Sequence, residues 1–238
     1  MKHPLYLSAL IALTVSSHAD PLQDDLDKRK ADFESKATPE KIEENEKGIE
    51  AVRASGVLEK ALKEGDTAPN FTLKNGKGED VSLDELLEDG TVVLMWYRGS
   101  WCSYCNIAIQ AYQEHLDEIK AAGGQLVALT PELPDKSMPT IEKYDLGYEV
   151  LTDLNNGVAE KFGTVFQLAP KVAEATEERV GLRNFNGADY DKGTLPLSAT
   201  YIITPDRKIA YAFLDADYRR RAEPTTIVAE LEKLKTAE

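Results

Sequence analysis

The chain has 238 residues, of which 42% are hydrophobic, 29% charged and 8% aromatic. This length suits one domain, or one domain with an extension, and the composition can bury a core, which excludes a wholly disordered chain or a fibrous repeat. The formal net charge is −14, so there is no excess of basic residues with which to bind nucleic acid or an anionic membrane. The two cysteines suffice for one bridge or one reactive pair.

The first 19 residues have the three parts of a cleavable signal peptide. Lys2 precedes an apolar run from Leu5 to Val15, and small residues occupy two of the three positions in Ser17-His18-Ala19. The run is only about half of the ~20 residues that span a bilayer. We therefore expect cleavage before Asp20 and a soluble, exported protein, either periplasmic or secreted, with no membrane anchor; an ordinary N-terminal apolar helix is the alternative.

Residues 20–64 are dominated by charge and predict a helical N-terminal extension. The sparse apolar residues recur at helical intervals, as Leu22, Leu26 and Phe33 do, and Pro39 after Thr38 is typical of a helix start. We expect two or three amphipathic helices. Packing against the main domain is the simpler role for them, and a subunit contact in a homodimer is the alternative.

Residues 65–238 predict an α/β domain that begins at the turn-rich stretch 65–69. A capping box at 82–85 predicts a short helix. The apolar run Thr91–Tyr97 predicts a strand buried on both faces, helical spacing from Cys102 to Gly123 predicts one helix, and Gln125–Leu129 predicts a second buried strand. Strand, helix and strand form a right-handed βαβ unit, with both cysteines at the junction of the first strand and its helix.

The C-terminal part alternates between short elements. The predicted elements are a strand near Phe71, helices at 137–144 and 155–162, a strand at 150–151, a long loop or insertion at 170–194, an antiparallel hairpin of 199–204 with 209–213, and a last helix after Pro224.

The chemistry is concentrated in the motif Trp101-Cys102-Ser103-Tyr104-Cys105. Two cysteines three residues apart on the first turn of a helix share a face, and a sulfur at the helix start favours the thiolate. Such a pair is a redox couple in which one thiol attacks and the other resolves the product. A structural zinc site needs four ligands, and His115 is the only histidine after the signal-like segment, so we expect no metal. A purely structural disulfide and a pair of inert buried thiols compete with the redox interpretation.

The stretch from Val93 to Cys105 resembles the active-site segment of the peroxiredoxin-like branch of the thioredoxin superfamily, the group of alkyl hydroperoxide reductases and thiol-specific antioxidant proteins. Segments 65–71, 125–131, 195–203 and 217–224 resemble the same family in the same order. The resemblance covers residues 65–236. It implies a thioredoxin-like fold, with a central mixed β-sheet flanked by helices, and thiol-based reduction of peroxides or disulfides without a cofactor.

The sequence also departs from this family. In the family motif Pro-x-x-x-Thr-x-x-Cys, alignment on Cys105 puts Arg98 at the proline and Cys102 at the threonine. The thioredoxin pattern instead makes Cys102 the attacking thiol, but Ser198 stands where that pattern has a cis-proline and where a peroxiredoxin carries an arginine nearby. With Trp101 and Tyr104, which flank the first cysteine, Arg98 and Ser198 form the expected active-site environment.

We predict a peroxide reductase that cycles a Cys102–Cys105 dithiol and disulfide, regenerated by a dithiol reductant such as a thioredoxin-like protein. The helix-start argument makes Cys102 the more acidic and more exposed thiol, whereas the family alignment favours attack by Cys105. A thiol–disulfide oxidoreductase and a redox-inert binding module are the alternative functions. The cluster Arg219–Arg221 is interpreted as solvated pairing with Asp215, Asp217 and Glu223, against an anionic substrate site.

Overall fold

The computed structural model describes residues 21–190 and 193–237. The signal-like segment 1–19 lies outside the described residues. The described strands are β1 (Thr72–Asn75), β2 (Asp80–Ser82), β3 (Thr91–Trp96), β4 (Gly124–Thr130), β5 (Glu149–Thr152), β6 (Val165–Gln167), β7 (Thr194–Pro196), β8 (Thr200–Ile203) and β9 (Ile209–Phe213). The described helices are α1 (Pro21–Lys36), α2 (Pro39–Ala54), α3 (Val57–Lys60), α4 (Leu83–Glu88), α5 (Ser103–Glu114), α6 (Leu116–Ala121), α7 (Pro134–Tyr144), α8 (Gly157–Lys161), α9 (Pro170–Val180), α10 (Leu182–Asn186) and α11 (Pro224–Ala237).

Seven strands form one mixed sheet in the order β2-β1-β5-β4-β3-β8-β9. The three central strands β5, β4 and β3 run parallel to one another. On one side of them β1 pairs antiparallel with β5 and with β2, and on the other side β8 pairs antiparallel with β3 and with β9. Strands β6 and β7 form a separate antiparallel pair. The predicted βαβ unit and the predicted C-terminal hairpin are therefore both confirmed, and the fold is the expected thioredoxin-like mixed sheet flanked by helices.

The sheet separates two hydrophobic cores, because successive side chains of a strand point to opposite faces. In β3, Val92, Leu94 and Trp96 belong to one core. Val93 and Met95 belong to the other, which also contains both cysteines. All five side chains are at most 2% exposed, which explains why this strand reads as a continuous apolar run.

The N-terminal helices are part of the packed structure. Leu22 and Leu26 of α1 are buried in the same core as the cysteines, and α1 packs against α5. The carboxylate of Glu223 accepts hydrogen bonds from the backbone N–H groups of Leu22 and Gln23, at 3.3 and 2.7 Å, which satisfies free donors in the first turn of α1. The expected amphipathic helices of the extension are confirmed, and within the described chain they pack on the main domain.

Three expectations about local structure are wrong. Segment 170–194 is not a long loop, because α9 and α10 occupy most of its described part, and Thr176 and Leu182 supply the buried contacts that its weak periodicity obscured. The helix after Cys102 is broken at His115, whose backbone leaves the helical region (φ −99°, ψ 10°) between α5 and α6. At the start of α4, the side chain of Ser82 makes no capping hydrogen bond.

None of the described helices is long and apolar enough to cross a membrane. Within residues 21–190 and 193–237, no group of three or more histidine, cysteine or acidic side chains could hold a metal ion.

Candidate active site

The cysteine pair lies where β3 leads into α5. Cys102 is the N-cap residue of α5, and its Sγ accepts a hydrogen bond from the backbone N–H of Cys105 at 3.4 Å. The two sulfur atoms are 2.8 Å apart, with the Cys105 thiol donating to Cys102. Both cysteines are free thiols and are buried, at 3% and 0% exposure. The predicted order is therefore confirmed, since Cys102 is the more exposed of the two, but the difference is small because residues of α1, α2 and α9 surround the end of α5 where it lies.

Arg98 is the cation bound to Cys102. Its Nη2 donates to the Cys102 Sγ at 3.2 Å, and the guanidinium is held against two aromatic rings. The guanidinium carbon lies 4.0 Å from the ring centre of Tyr218 and 5.3 Å from that of Trp101. Gly99 lets the loop pass close to this group, since its φ of +144° suits glycine and a Cβ there would collide with the Trp101 indole nitrogen.

The surroundings shift the pKa values of the two thiols in opposite directions. Burial by itself raises the pKa of Cys102, but the hydrogen bond from Cys105 and the charges of Arg98 and Arg221 outweigh it and hold this pKa well below its ordinary value. Burial and the negative charge on Cys102 raise the pKa of the Cys105 thiol well above its ordinary value. Cys102 is therefore the thiolate and Cys105 the proton-bearing thiol, as the helix-start argument predicts.

The arginine cluster is mostly buried, which corrects the expectation of a solvated surface. Arg219 forms ion pairs with Asp217 at 2.7 Å and with Glu46 of α2 at 2.5 Å, which tie the extension to the domain. Arg220 fits the surface interpretation, since it is exposed and lies 3.9 Å from Asp215. Arg221 turns inward, and its Nη2 lies 3.5 Å from the Cys105 Sγ. This position of Arg221 was not predicted, although a triple arginine in an acidic chain is a signal that could have pointed to it.

Glu132 is a buried carboxylic acid under the cysteine loop. Its Oε1 accepts hydrogen bonds from the backbone N–H and the hydroxyl of Ser100, at 2.9 and 2.7 Å. Its Oε2 is buried and has no partner among the described residues. Burial raises the pKa of Glu132 to about 7, the hydrogen bonds from Ser100 oppose this rise, and the nearby Cys102 thiolate adds to it. Nothing in the local sequence pattern singled out this residue.

The remaining expected site residues lie in different environments, Trp101 and Tyr104 on either side of Cys102 in the chain and Ser198 just before β8. Tyr104 is buried, with its ring centre 5.4 Å from that of Tyr218 and 5.7 Å from the guanidinium carbon of Arg29 in α1. Trp101 is half-buried, and its indole N–H has no partner in the described structure. Ser198 precedes β8 and is buried, with its hydroxyl also unpartnered there.

His115, the histidine considered for a metal site, lies apart from the cysteines. It follows the last residue of α5 and pairs with Glu118, its Nδ1 lying 2.9 Å from the carboxylate. Its position at the far end of α5 from Cys102 keeps it out of the chemistry of the pair.

A small cavity of about 180 Å³ opens onto Cys102. Besides the cysteine loop and Tyr218, three helices line it: α1 with Arg29 and Phe33, α2 with Lys41, and α9 with Arg179. Arg29 also donates to the Ser103 hydroxyl at 3.0 Å, so the extension directly contacts the first turn of α5. Cys102 thus lines a cavity with room for a small molecule.

These features define a class of protein. A thiolate at a helix start, with a protonated thiol 2.8 Å away and a cation bound to each sulfur, can attack an electrophilic oxygen or sulfur and then close a disulfide. Placed after a central strand of a mixed sheet, this arrangement is that of a thioredoxin-like thiol oxidoreductase.

Comparison with known proteins identifies the family. Residues 65–212 match the model of the AhpC/TSA family. Peroxiredoxin Bcp of Escherichia coli (strain K12) is 29% identical over 154 residues, which cover 65% of this chain and 86% of that protein. Among solved structures, peroxidoxin BcpB from Mycobacterium tuberculosis is 21% identical with a TM-score of 0.57, covering 73% of this chain and 98% of that one. Reduced Prx3 from Vibrio vulnificus is 19% identical with a TM-score of 0.58, covering 72% and 99%.

The chain belongs to the AhpC/TSA family and is a peroxiredoxin-like oxidoreductase of the thioredoxin superfamily. The resemblance stated from the active-site stretch is therefore confirmed.

Proposed function

We propose that this protein is an exported peroxide reductase that cycles Cys102 and Cys105 between a dithiol and a disulfide. The observation that carries the proposal is the polarised pair, in which the Cys102 thiolate accepts from the Cys105 thiol at 2.8 Å and from Arg98 at 3.2 Å. The name of the bacterial relative, a peroxiredoxin, supports peroxide as the substrate.

The reaction begins with attack of the Cys102 sulfur on one peroxide oxygen. The O–O bond breaks, an alcohol or water leaves after taking a proton, and Cys102 becomes a sulfenic acid. The Cys105 sulfur then attacks Cys102, the S–O bond breaks, and water leaves as the disulfide forms. A dithiol reductant, such as a thioredoxin-like protein, returns both cysteines to thiols by disulfide exchange.

The burial of the cysteine pair limits how the peroxide substrate and the dithiol reductant reach it. A small peroxide fits the cavity of about 180 Å³. A folded dithiol protein is too large for it, so its reaction with the disulfide requires movement of the helices that line the opening. Homodimer formation stays a prediction.

A thiol–disulfide oxidoreductase is the second candidate, because a thiolate at the N-cap of the helix that follows a central strand is also the arrangement used for protein disulfides. The burial of both sulfurs argues against it, since direct attack on a disulfide of a folded protein needs an accessible thiolate. The third candidate is a redox-inert binding module. It gives no reason why the pKa of Cys102 is lowered and that of Cys105 is raised.

Export rests on the charged start, apolar run and small-residue end of residues 1–19. An oxidising compartment requires a dedicated reductant for each turnover, which fits the proposed dithiol partner.

The test measures hydrogen peroxide consumption with a thioredoxin system as reductant, alongside reduction of a protein disulfide such as that of insulin. We expect rapid peroxide turnover and little insulin reduction. Cys102→Ser and the double Cys102→Ser, Cys105→Ser variant abolish turnover if the proposal is correct, whereas Arg207→Lys, in the turn between β8 and β9, is the matched control. Insulin reduction without peroxide consumption favours the second candidate, and activity in neither assay favours the third.

A further inference from the structure

Each sulfur of the pair has its own arginine. The Nη2 of Arg98 lies 3.2 Å from the Cys102 Sγ, and that of Arg221 lies 3.5 Å from the Cys105 Sγ. The two arginines come from distant segments, one shortly after β3 and the other shortly before α11. The charge of Arg221 helps to hold Cys102 as the thiolate, but the sulfur that Arg221 contacts is that of Cys105, which takes no part in the attack on peroxide.

Arg221 is held so that its charge reaches Cys105. It is only 5% exposed, and its Nη1 donates to the backbone carbonyls of Tyr218 and Arg220, which fixes the direction of the guanidinium. Its neighbours Arg219 and Arg220 direct their guanidinium groups at carboxylates, whereas the Nη2 of Arg221 is directed at a sulfur. The turn before α11 thus brings a buried positive charge to the second cysteine.

Cys105 needs such a charge more than Cys102 does. It is fully buried and is the third residue of α5, and its own backbone N–H donates to the Cys102 sulfur and not to its own. Burial penalises the ionised form of a thiol, and a nearby cation is worth more in such a low-dielectric site than in water. Of the two arginines, Arg221 lowers the pKa of Cys105 more strongly than Arg98 does.

We propose that Arg221 is a catalytic residue of the resolving step, which stabilises negative charge on the Cys105 sulfur while that sulfur closes the disulfide. The inference rests on the proposed function. In this step the Cys105 S–H bond breaks, its sulfur attacks the Cys102 sulfur, and the hydroxyl of the sulfenic acid leaves with the Cys105 proton as water. The peroxide has already supplied the oxidation, so this step needs no further oxidant or reductant.

A single-turnover experiment measures sulfenic acid formation and disulfide closure separately. The protein is mixed with one equivalent of hydrogen peroxide, quenched at intervals with dimedone, and analysed by intact mass for sulfenic acid and for disulfide. Arg221→Met is compared with Arg98→Met, and Arg220→Met is the matched control because it removes an exposed arginine next in sequence. Arg221→Lys tests whether a retained charge restores the step.

We expect Arg221→Met to slow sulfenic acid formation by at most about threefold and to prolong the life of the sulfenic acid by about tenfold or more, since a hydrogen bond to a charged group is substantially stronger than a neutral one. Arg98→Met has the opposite pattern, Arg220→Met resembles wild type, and Arg221→Lys recovers most of the closing rate. An unchanged sulfenic acid lifetime in Arg221→Met, or equal slowing of both steps, overturns the inference while the proposed function stands. Absence of sulfenic acid and of disulfide in the wild-type protein overturns the proposed function and the inference with it.

Discussion

Replacing Glu132 with glutamine should remove a pH dependence of stability that the buried carboxyl creates. The folded state raises the pKa of Glu132 from 4.5 to about 7, mainly through burial. The folded protein therefore binds the Glu132 proton more tightly than the unfolded chain, and stability falls as pH rises from about 4.5 to about 7. Each tenfold difference in proton affinity is worth about 1.4 kcal/mol, so this carboxyl should lower the unfolding free energy by about 2.5 kcal/mol between about pH 5 and pH 8.

Glutamine keeps an oxygen that can accept the two hydrogen bonds from Ser100, but it does not titrate. Urea unfolding of wild type and Glu132→Gln at about pH 5, 6, 7 and 8 measures the effect. The stability of the variant relative to wild type should increase by about 2.5 kcal/mol across this range, whatever constant cost the new amide brings. Glu142→Gln, at an exposed position on α7, is the control. A difference between Glu132→Gln and wild type that does not vary with pH would refute the reasoning.

Three further predictions concern the extension, the disulfide and export. Leu26→Ala should lower the unfolding free energy by about 2–5 kcal/mol in urea denaturation, because Leu26 is fully buried in the core that contains the cysteines; a loss below about 0.5 kcal/mol would show that α1 is not docked in solution. Reduction of the Cys102–Cys105 disulfide should change the unfolding free energy by no more than about 2 kcal/mol, because the loop it closes is so short, and loss of cooperative unfolding on reduction would instead make the bridge structural. Protein isolated from its native compartment should begin at or near Asp20 by N-terminal sequencing, and an intact Met1 would contradict export.

Much of the fold could be predicted because strong local patterns and the tertiary structure agree. The run Thr91–Tyr97 is apolar at almost every position since both faces of β3 are covered, and Gly123 ends the helical pattern before β4. The pattern failed in segment 170–194, where α9 buries only Thr176 among its residues and so lacks a clear apolar stripe. The break at His115 was also invisible, because apolar spacing continues from Tyr112 to Leu116 across it.

The cysteine pair could be found from sequence because its chemistry depends on local spacing along one helix. The residues that tune the pair could not, since they arrive from distant segments. Arg221 is 116 positions from Cys105, and Glu132 is 32 positions from Ser100. Charged clusters usually form ion pairs at the surface. Arg221 instead points inward because of the turn before α11, which the local sequence does not predict. Coverage of the site by α1 and α9 is likewise a tertiary effect, so the sequence predicted the order of exposure and of acidity of the two thiols but not that both are buried.

The most direct test of the account is to locate the sulfenic acid in the two single-cysteine variants. Cys105→Ser and Cys102→Ser are each treated briefly with one equivalent of hydrogen peroxide in the presence of dimedone, and the adduct is assigned by peptide mass spectrometry. The account predicts fast labelling of Cys102 in Cys105→Ser and slow labelling of Cys105 in Cys102→Ser. Equal or faster labelling of Cys105 would contradict it and make Cys105 the attacking thiol.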